Sequence, residues 1–230
     1  IELPLLRDHH SHISLYAAFG DCPSILGLAQ DEALSLLRVL PQDRLSIVLG
    51  WSSARLSLSP GDLATLPPVV LLNESLHGML LSEGAKQRLR QPAPELAERH
   101  AQPQWCERHL AEVLSLYGRL AAASAEKLGA LAEQLAAAGV GAAEDMLVLD
   151  ERSLNAIRCS SWGKDLPCWA DPGAFRGMGP QGRAAVTGFK LFLDGALAMR
   201  TAALSRPYLQ GGDGLLLYGD GALQEQLAGL

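Results

Sequence analysis

Short, largely apolar runs recur along this chain with helix-forming sequence between them, and that alternation points to an α/β architecture. The runs are Ile1 to Leu6, Ser46 to Gly50, Pro68 to Leu72, Asp145 to Leu149 and Val186 to Leu193. Strands this apolar are buried on both faces, so a parallel sheet or barrel is the most economical expectation. Leu215 to Tyr218 reads as a further short extended piece. A helix is expected over Asp31 to Leu40, where Leu34, Leu36, Leu37 and Leu40 stand at helical spacing behind an acidic start. Trp105 to Ala138 has strong helix composition, with no proline and only two glycines. Gly118 or Gly129 is placed to divide it, and Gly139 to end it. Ala222 to Ala228 reads as a last helix with Asp220 as N-cap. Ser57 to Pro67 reads as loop, and so does Ser160 to Gly182, which holds three prolines and five glycines.

Composition excludes several classes. The 230 residues are 48% hydrophobic with a net charge of −6, enough apolar content for a sizeable core and too little charge for a disordered chain. No Lys/Arg-rich stripe is present, which argues against nucleic acid or an anionic membrane as the main partner. No apolar run approaches the roughly 18 residues of a spanning helix. No signal-peptide pattern is visible, although the chain opens at Ile1 and not at a Met. Cys22, Cys106, Cys159 and Cys168 form no C-x-x-C pair and read as structural residues of a reducing, cytoplasmic compartment.

Two signals carry chemistry. Asp8-His9-His10-Ser11-His12 follows the first apolar run, and residues i and i+2 of a strand share a face, so His10 and His12 can aim both imidazoles at one point. That is half of a tetrahedral zinc site; the same residues are also compatible with a His-rich surface turn or a tag remnant. His9 points away by strand alternation, and His100 and His109 read as solvated. The second signal is Lys190 inside the apolar run Gly188 to Leu193. It is either a solvent-facing charge on an edge strand or a desolvated amine with a lowered pKa, fit to act as a nucleophile or to be carboxylated.

Together these residues resemble a known family. Leu3-Pro4 followed by Asp8-x-His10-x-His12 is similar to the first barrel strand of the amidohydrolase superfamily of metal-dependent hydrolases. Phe189 to Leu197, continued by Arg200-Thr201-Ala202-Ala203-Leu204, resembles a longer motif of the branch that includes N-substituted formamide deformylases. Gly50-Trp51, Pro68 to Leu72 and His77-Gly78 follow the order of that branch, and Gly139 to Met146 resembles the start of its third strand. The resemblance implies a TIM (β/α)8 barrel in which His10 and His12 hold a divalent metal, zinc for choice, and carboxylated Lys190 bridges it to a second ion. It further implies Lys190 and Asp194 as catalytic residues and His77, Trp51 and Arg200 near the substrate, with Asp194 and Arg200 ordering the loop beyond the lysine strand. The implied reaction is hydrolysis of a non-peptide C–N bond in a small-molecule amide by metal-activated hydroxide, with the Ser160-to-Gly182 loop as a pocket wall.

A whole barrel takes roughly 250 residues, at about 30 per strand–helix unit. Only 40 residues follow Lys190, and no histidine follows His109. The expectation is therefore one partial barrel domain over 1–230, stopping after about the fourth strand, without the family's later ligands or its flanking β-sandwich segment. Such a half-barrel has open edges that invite a second copy or a completing chain. Two rival functions stay open: a non-catalytic half-barrel that oligomerises, and a lyase in which Lys190 forms a Schiff base.

Overall fold

The computed structural model describes residues 5–53, 55–73, 76–219 and 221–228. Residues 1–4 and Asp220, expected to open the first strand and to cap the last helix, lie outside the described residues. Seven strands are present among those described: β1 (Leu6–Ser11), β2 (Ser46–Trp51), β3 (Val69–Asn73), β4 (Met79–Leu81), β5 (Val140–Val148), β6 (Cys168–Ala170) and β7 (Gly188–Phe189). They form two sheets, one in each of two compact units. The chain is a mixed α/β protein.

Unit 1 comprises, of the described residues, 5–21 and 114–191. Its sheet has the order β1-β5-β6-β7, and every pair is parallel. The order is sequential, with no reversal, so the strands follow one another as they do around a barrel wall. β5 pairs directly with β1 and is the second strand of this sheet, not the third, because the sequence expected as the intervening strand belongs to the other unit. Helix Glu151–Cys159 crosses from β5 to β6, and the short helices Pro172–Gly177 and Pro180–Ala184 cross from β6 to β7. Ile13, Leu128, Val148, Leu154, Ile157 and Cys168 form the centre of its core.

Unit 2 comprises the described residues of 22–113 and 192–228. β2 and β3 are parallel, and β4 returns antiparallel to β3. All five residues of β3 are buried. Leu37 of helix Gln30–Arg38 packs with Ile25, Val48, Leu66, Val69 and Leu71.

Several local expectations change, each for a definable reason. The segment read as one loop over 160–182 contains β6 and two helices; two of its three prolines, Pro172 and Pro180, stand at the first helical turn, where a missing N–H costs nothing, behind Asp171 and Gly179 as caps. Ser57 to Pro67 likewise holds helix Pro60–Thr65, capped by Ser59 with Asp62 in a reciprocal box. The long helical stretch breaks between Leu110–Leu120 and Ala125–Ala137, where Ser124 caps the second helix, and neither Gly118 nor Gly129 divides it. Gly139 ends it as expected, at φ +87°, a conformation that side chains disfavour. The lysine run is regular strand only at Gly188–Phe189, though Lys190 N continues the ladder to Ala170 O at 2.9 Å. Leu215 to Tyr218 forms no strand; Leu216 makes a single bridge to Asp194.

His100 is not solvated. It is 5% exposed, and burial, assisted by the Lys86 charge, pushes its pKa from 6.5 down to about 4. His109 is half-buried and stacks on Trp105 with ring centres 4.2 Å apart. A neutral buried His100 stabilises the fold fully above pH 6.5, and that contribution falls as pH drops toward 4, because the unfolded imidazole takes up a proton that the folded one refuses. Urea unfolding at pH 7 and pH 4 will show a steeper acid loss for the wild type than for His100→Gln, by up to about 3 kcal/mol.

Candidate functional site

Strand β1 ends at Ser11, and His12 is the N-cap residue of helix Ile13–Phe19. His10 and His12 place their ring centres 5.6 Å apart, with planes at 86°. Two imidazoles on one tetrahedral zinc, with Zn–N near 2.0 Å, have ring centres about 5 Å apart, so this pair fits as half of a donor set. His10 N donates to Asp8 Oδ1 at 2.9 Å. The Asp8 carboxyl is held below its ordinary pKa first by its hydrogen bond from Ser11, then by that from His10 N. His9 turns the other way, as alternation requires, with Nδ1 2.7 Å from Glu144 Oε1. Glu144 also accepts from Trp169 Nε1 at 3.2 Å.

What fixes this strand end is a residue that sequence reading left unmarked. Asp145 of β5 has no exposed surface. Its Oδ2 accepts from Ser14 N at 2.8 Å and its Oδ1 from Leu147 N at 3.1 Å. His12 provides no side-chain cap to its helix, so Asp145 caps that helix N-terminus from the neighbouring strand. Burial pushes the Asp145 pKa up, against these hydrogen bonds. An aspartate inside a strand candidate was the available signal.

Lys190 follows β7, the last strand of the same sheet. All four strands are parallel, so His10, His12 and Lys190 lie along one edge, at the C-terminal strand ends where barrels and open α/β sheets build their sites. Burial lowers the Lys190 pKa. β5 and β6 stand between the histidine strand and the lysine strand, about 14 Å of sheet at the usual spacing if the sheet were flat. Among the described residues no group of three His, Cys, Asp or Glu side chains could hold a metal.

The remaining expected residues belong to unit 2, which the chain enters at Phe192, inside the lysine motif. His77 Nδ1 lies 3.1 Å from Glu107 Oε2, and its ring meets Phe192 edge-on at 5.9 Å. Glu107 is 1% exposed, and its other oxygen accepts from Thr201 Oγ1 at 2.8 Å. A buried carboxylate on Nδ1 makes that nitrogen the donor and holds the ring in one direction. Asp194 Oδ2 accepts from Ala203 N at 3.0 Å, and Thr201 Oγ1 accepts from Ala196 N at 2.9 Å. These bonds close the 194–203 loop. A side chain at Gly195 would collide with Thr201. Arg200 is exposed and caps the turn Leu197–Met199 in the left-handed region, at φ 55°. Leu76, at φ 60°, precedes His77. These are the positive-φ non-glycines among the described residues, and strain of this kind gathers at functional sites. Trp51, at the end of β2, lines a cavity. Glu107 was missed because a glutamate in a charged helix, Cys106-Glu107-Arg108, reads as solvated.

No protein-family model matches the chain, and no curated protein does. Two solved structures match it, both uncharacterized metal-dependent hydrolases. The one from Pyrococcus horikoshii OT3 is 20% identical, with a TM-score of 0.58, and the match covers 98% of this chain and 50% of that one. The one from Pyrococcus furiosus is 17% identical, with a TM-score of 0.57, and the match covers 98% and 52%. The chain thus has the fold of these metal-dependent hydrolases and spans about half their length.

Both buried carboxylates are testable. Asp145→Ala strands two backbone N–H donors and should lower stability by about 3 kcal/mol, read from the urea midpoint. Glu107→Ala should cost about 2–4 kcal/mol and release the His77 tautomer, visible as changed imidazole nitrogen shifts in NMR spectra.

Proposed function

We propose that this chain is part of a metal-dependent hydrolase of the amidohydrolase type, acting on a non-peptide C–N bond of a small-molecule amide. The observation that carries the reading is the His10–His12 ring pair at the C-terminal end of a parallel strand, on the sheet edge that also ends in Lys190. The shared fold with metal-dependent hydrolases supports it. The sequential order of the four parallel strands of unit 1 supports a partial barrel, whose curvature would shorten the separation between the histidine and lysine strands.

In this reading His10 and His12 hold a divalent ion, zinc for choice, and Lys190, carboxylated, supplies a further oxygen ligand. When bound, the ion supplies a Lewis acid that activates water near neutral pH and polarises the amide carbonyl. Asp145 holds the histidine strand end against β5, so the two imidazoles keep one geometry. Asp194 and Thr201 hold the loop after the lysine strand. His77 has its ring direction set by Glu107. A reducing, cytoplasmic location is supported by the buried cysteines Cys106 and Cys168, which form no disulfide, and no described helix is long and apolar enough to cross a membrane.

One observation favours a second chain as a completing partner. β1 pairs only with β5 among the described strands, and Leu5 and Leu6 beside that edge are 63% and 67% exposed. An edge of this kind is a template for another chain.

Metal analysis of the purified full chain tests the main reading. Zinc or a related ion should be retained after dialysis at a fixed ratio to protein and lost in His10→Ala and in His12→Ala, with Lys190→Ala retaining less than the wild type. Metal content unchanged by either histidine variant sinks it. Borohydride trapping of a carbonyl compound on Lys190 would instead favour the Schiff-base lyase.

A further inference from the structure

The sheet of unit 1 has two open edges that match each other. Its strands are all parallel and stand in the order β1-β5-β6-β7, so β1 and β7 each have one neighbour among the described strands. Leu6 N donates to Gly139 O on the β5 side, so by strand alternation the N–H and C=O of Arg7 point the other way, to the open edge. Residues 5–10 along that edge are all exposed. Backbone groups on such an edge are a template for another strand.

The two faces of the sheet are unequal as well. Ala143, Cys168 and Ala170 turn to one face and pack with Ile13, Leu128 and Ile157 of the unit's helices. Glu144 and Trp169 alternate to the other face, where Trp169 Nε1 donates to Glu144 Oε2 at 3.2 Å and both residues keep partial exposure. Parallel sheets are covered on both faces, and a barrel meets that need by closing one face on itself. Such a barrel takes eight parallel strands, and this sheet supplies half of them. The chain likewise spans about half the length of two structures that share its fold.

We propose that two copies of this chain close one eight-stranded barrel, the β1 edge of each pairing in parallel with the β7 edge of the other. A two-fold axis along the barrel permits this, because it keeps every strand parallel and makes the two seams identical. The seam also changes the metal site. Within one chain, β5 and β6 separate the histidine strand from the lysine strand. Across the seam, the strand leading to His10 and His12 lies one spacing, about 4.8 Å, from the strand leading to Lys190 of the other copy. On the metal-hydrolase reading proposed above, on which this part rests, each site takes its histidines from one copy and its lysine from the other.

Sedimentation equilibrium of the full chain at micromolar concentration should give twice the chain mass. Arg7→Pro removes the outward donor and keeps the bond of Leu6 N, a substitution that edge strands tolerate. It should weaken the dimer by about tenfold or more, with the far-UV circular dichroism of the wild type. A second test leaves the edge untouched: His10→Ala and Lys190→Ala chains are co-expressed with different tags and purified as the mixed dimer. That dimer keeps one of its two seams with intact histidines and lysine, so it should retain roughly half the wild-type zinc, above the mean of the two parent dimers. A wild-type monomer overturns the proposal and assigns the edge to a chain of different sequence. A dimer unmoved by a folded Arg7→Pro overturns it too, as does a mixed dimer whose zinc equals the parents' mean. Should Arg7→Pro not fold, the mixed dimer decides. A wild-type dimer that dissociates in Arg7→Pro yet retains no metal sinks the hydrolase reading alone and supports the seam.

Discussion

A carboxylate with no exposed surface, Asp145, is the interaction on which the candidate metal edge depends. Burying it costs free energy, and the cost shows as a raised pKa. It is offset because the carboxylate accepts from Ser14 N, in the first turn of the helix after His12, and from Leu147 N on its own strand. One side chain thus ties β5 to the junction where β1 becomes helix. Ser11, just before that junction, is 2% exposed, and Ile13, just after it, is 1% exposed. His12 stands between two buried residues and in front of a helix whose cap comes from another strand, so its backbone has little freedom to turn.

Unit 2 repeats the device with different partners. Glu107 is buried between His77 and Thr201, and Thr201 in turn receives Ala196 N. Because Gly195 leaves no room for a side chain against Thr201, the 194–203 loop closes tightly on that hydroxyl. In each unit a buried carboxylate orients or steadies a histidine from a neighbouring element, and such outer partners fix the tautomer and direction of functional imidazoles.

The sequence carried more of the strands than of their setting. β2 and β3 were legible because their apolar runs are continuous, as strands buried on both faces must be. β6 was not, since Cys168-Trp169-Ala170 is too short to show a period and lies among prolines that serve as helix starts. Which sheet each run joins depends on contacts far apart in the chain, so β2 and β3 looked like members of the same sheet as β1. His10, His12 and Lys190 were legible as residue types in a pattern, and the parallel register puts them on one edge. Asp145, Glu107 and His100 were not, because charge or polarity reads as exposure in a local window, while burial is decided by tertiary packing.

The two units differ in the setting of their titratable groups. The edge of unit 1 gathers groups whose charge or proton state matters: Asp8 held ionised, Tyr16 and Lys190 pushed toward their neutral forms by burial. In unit 2, burial pushes the pKa of His100, which lines a cavity with Trp51 and Met79, down to about 4. The two buried carboxylates, each fastened by hydrogen bonds within its own unit, hold their place against the cost of burial with partners local to that unit.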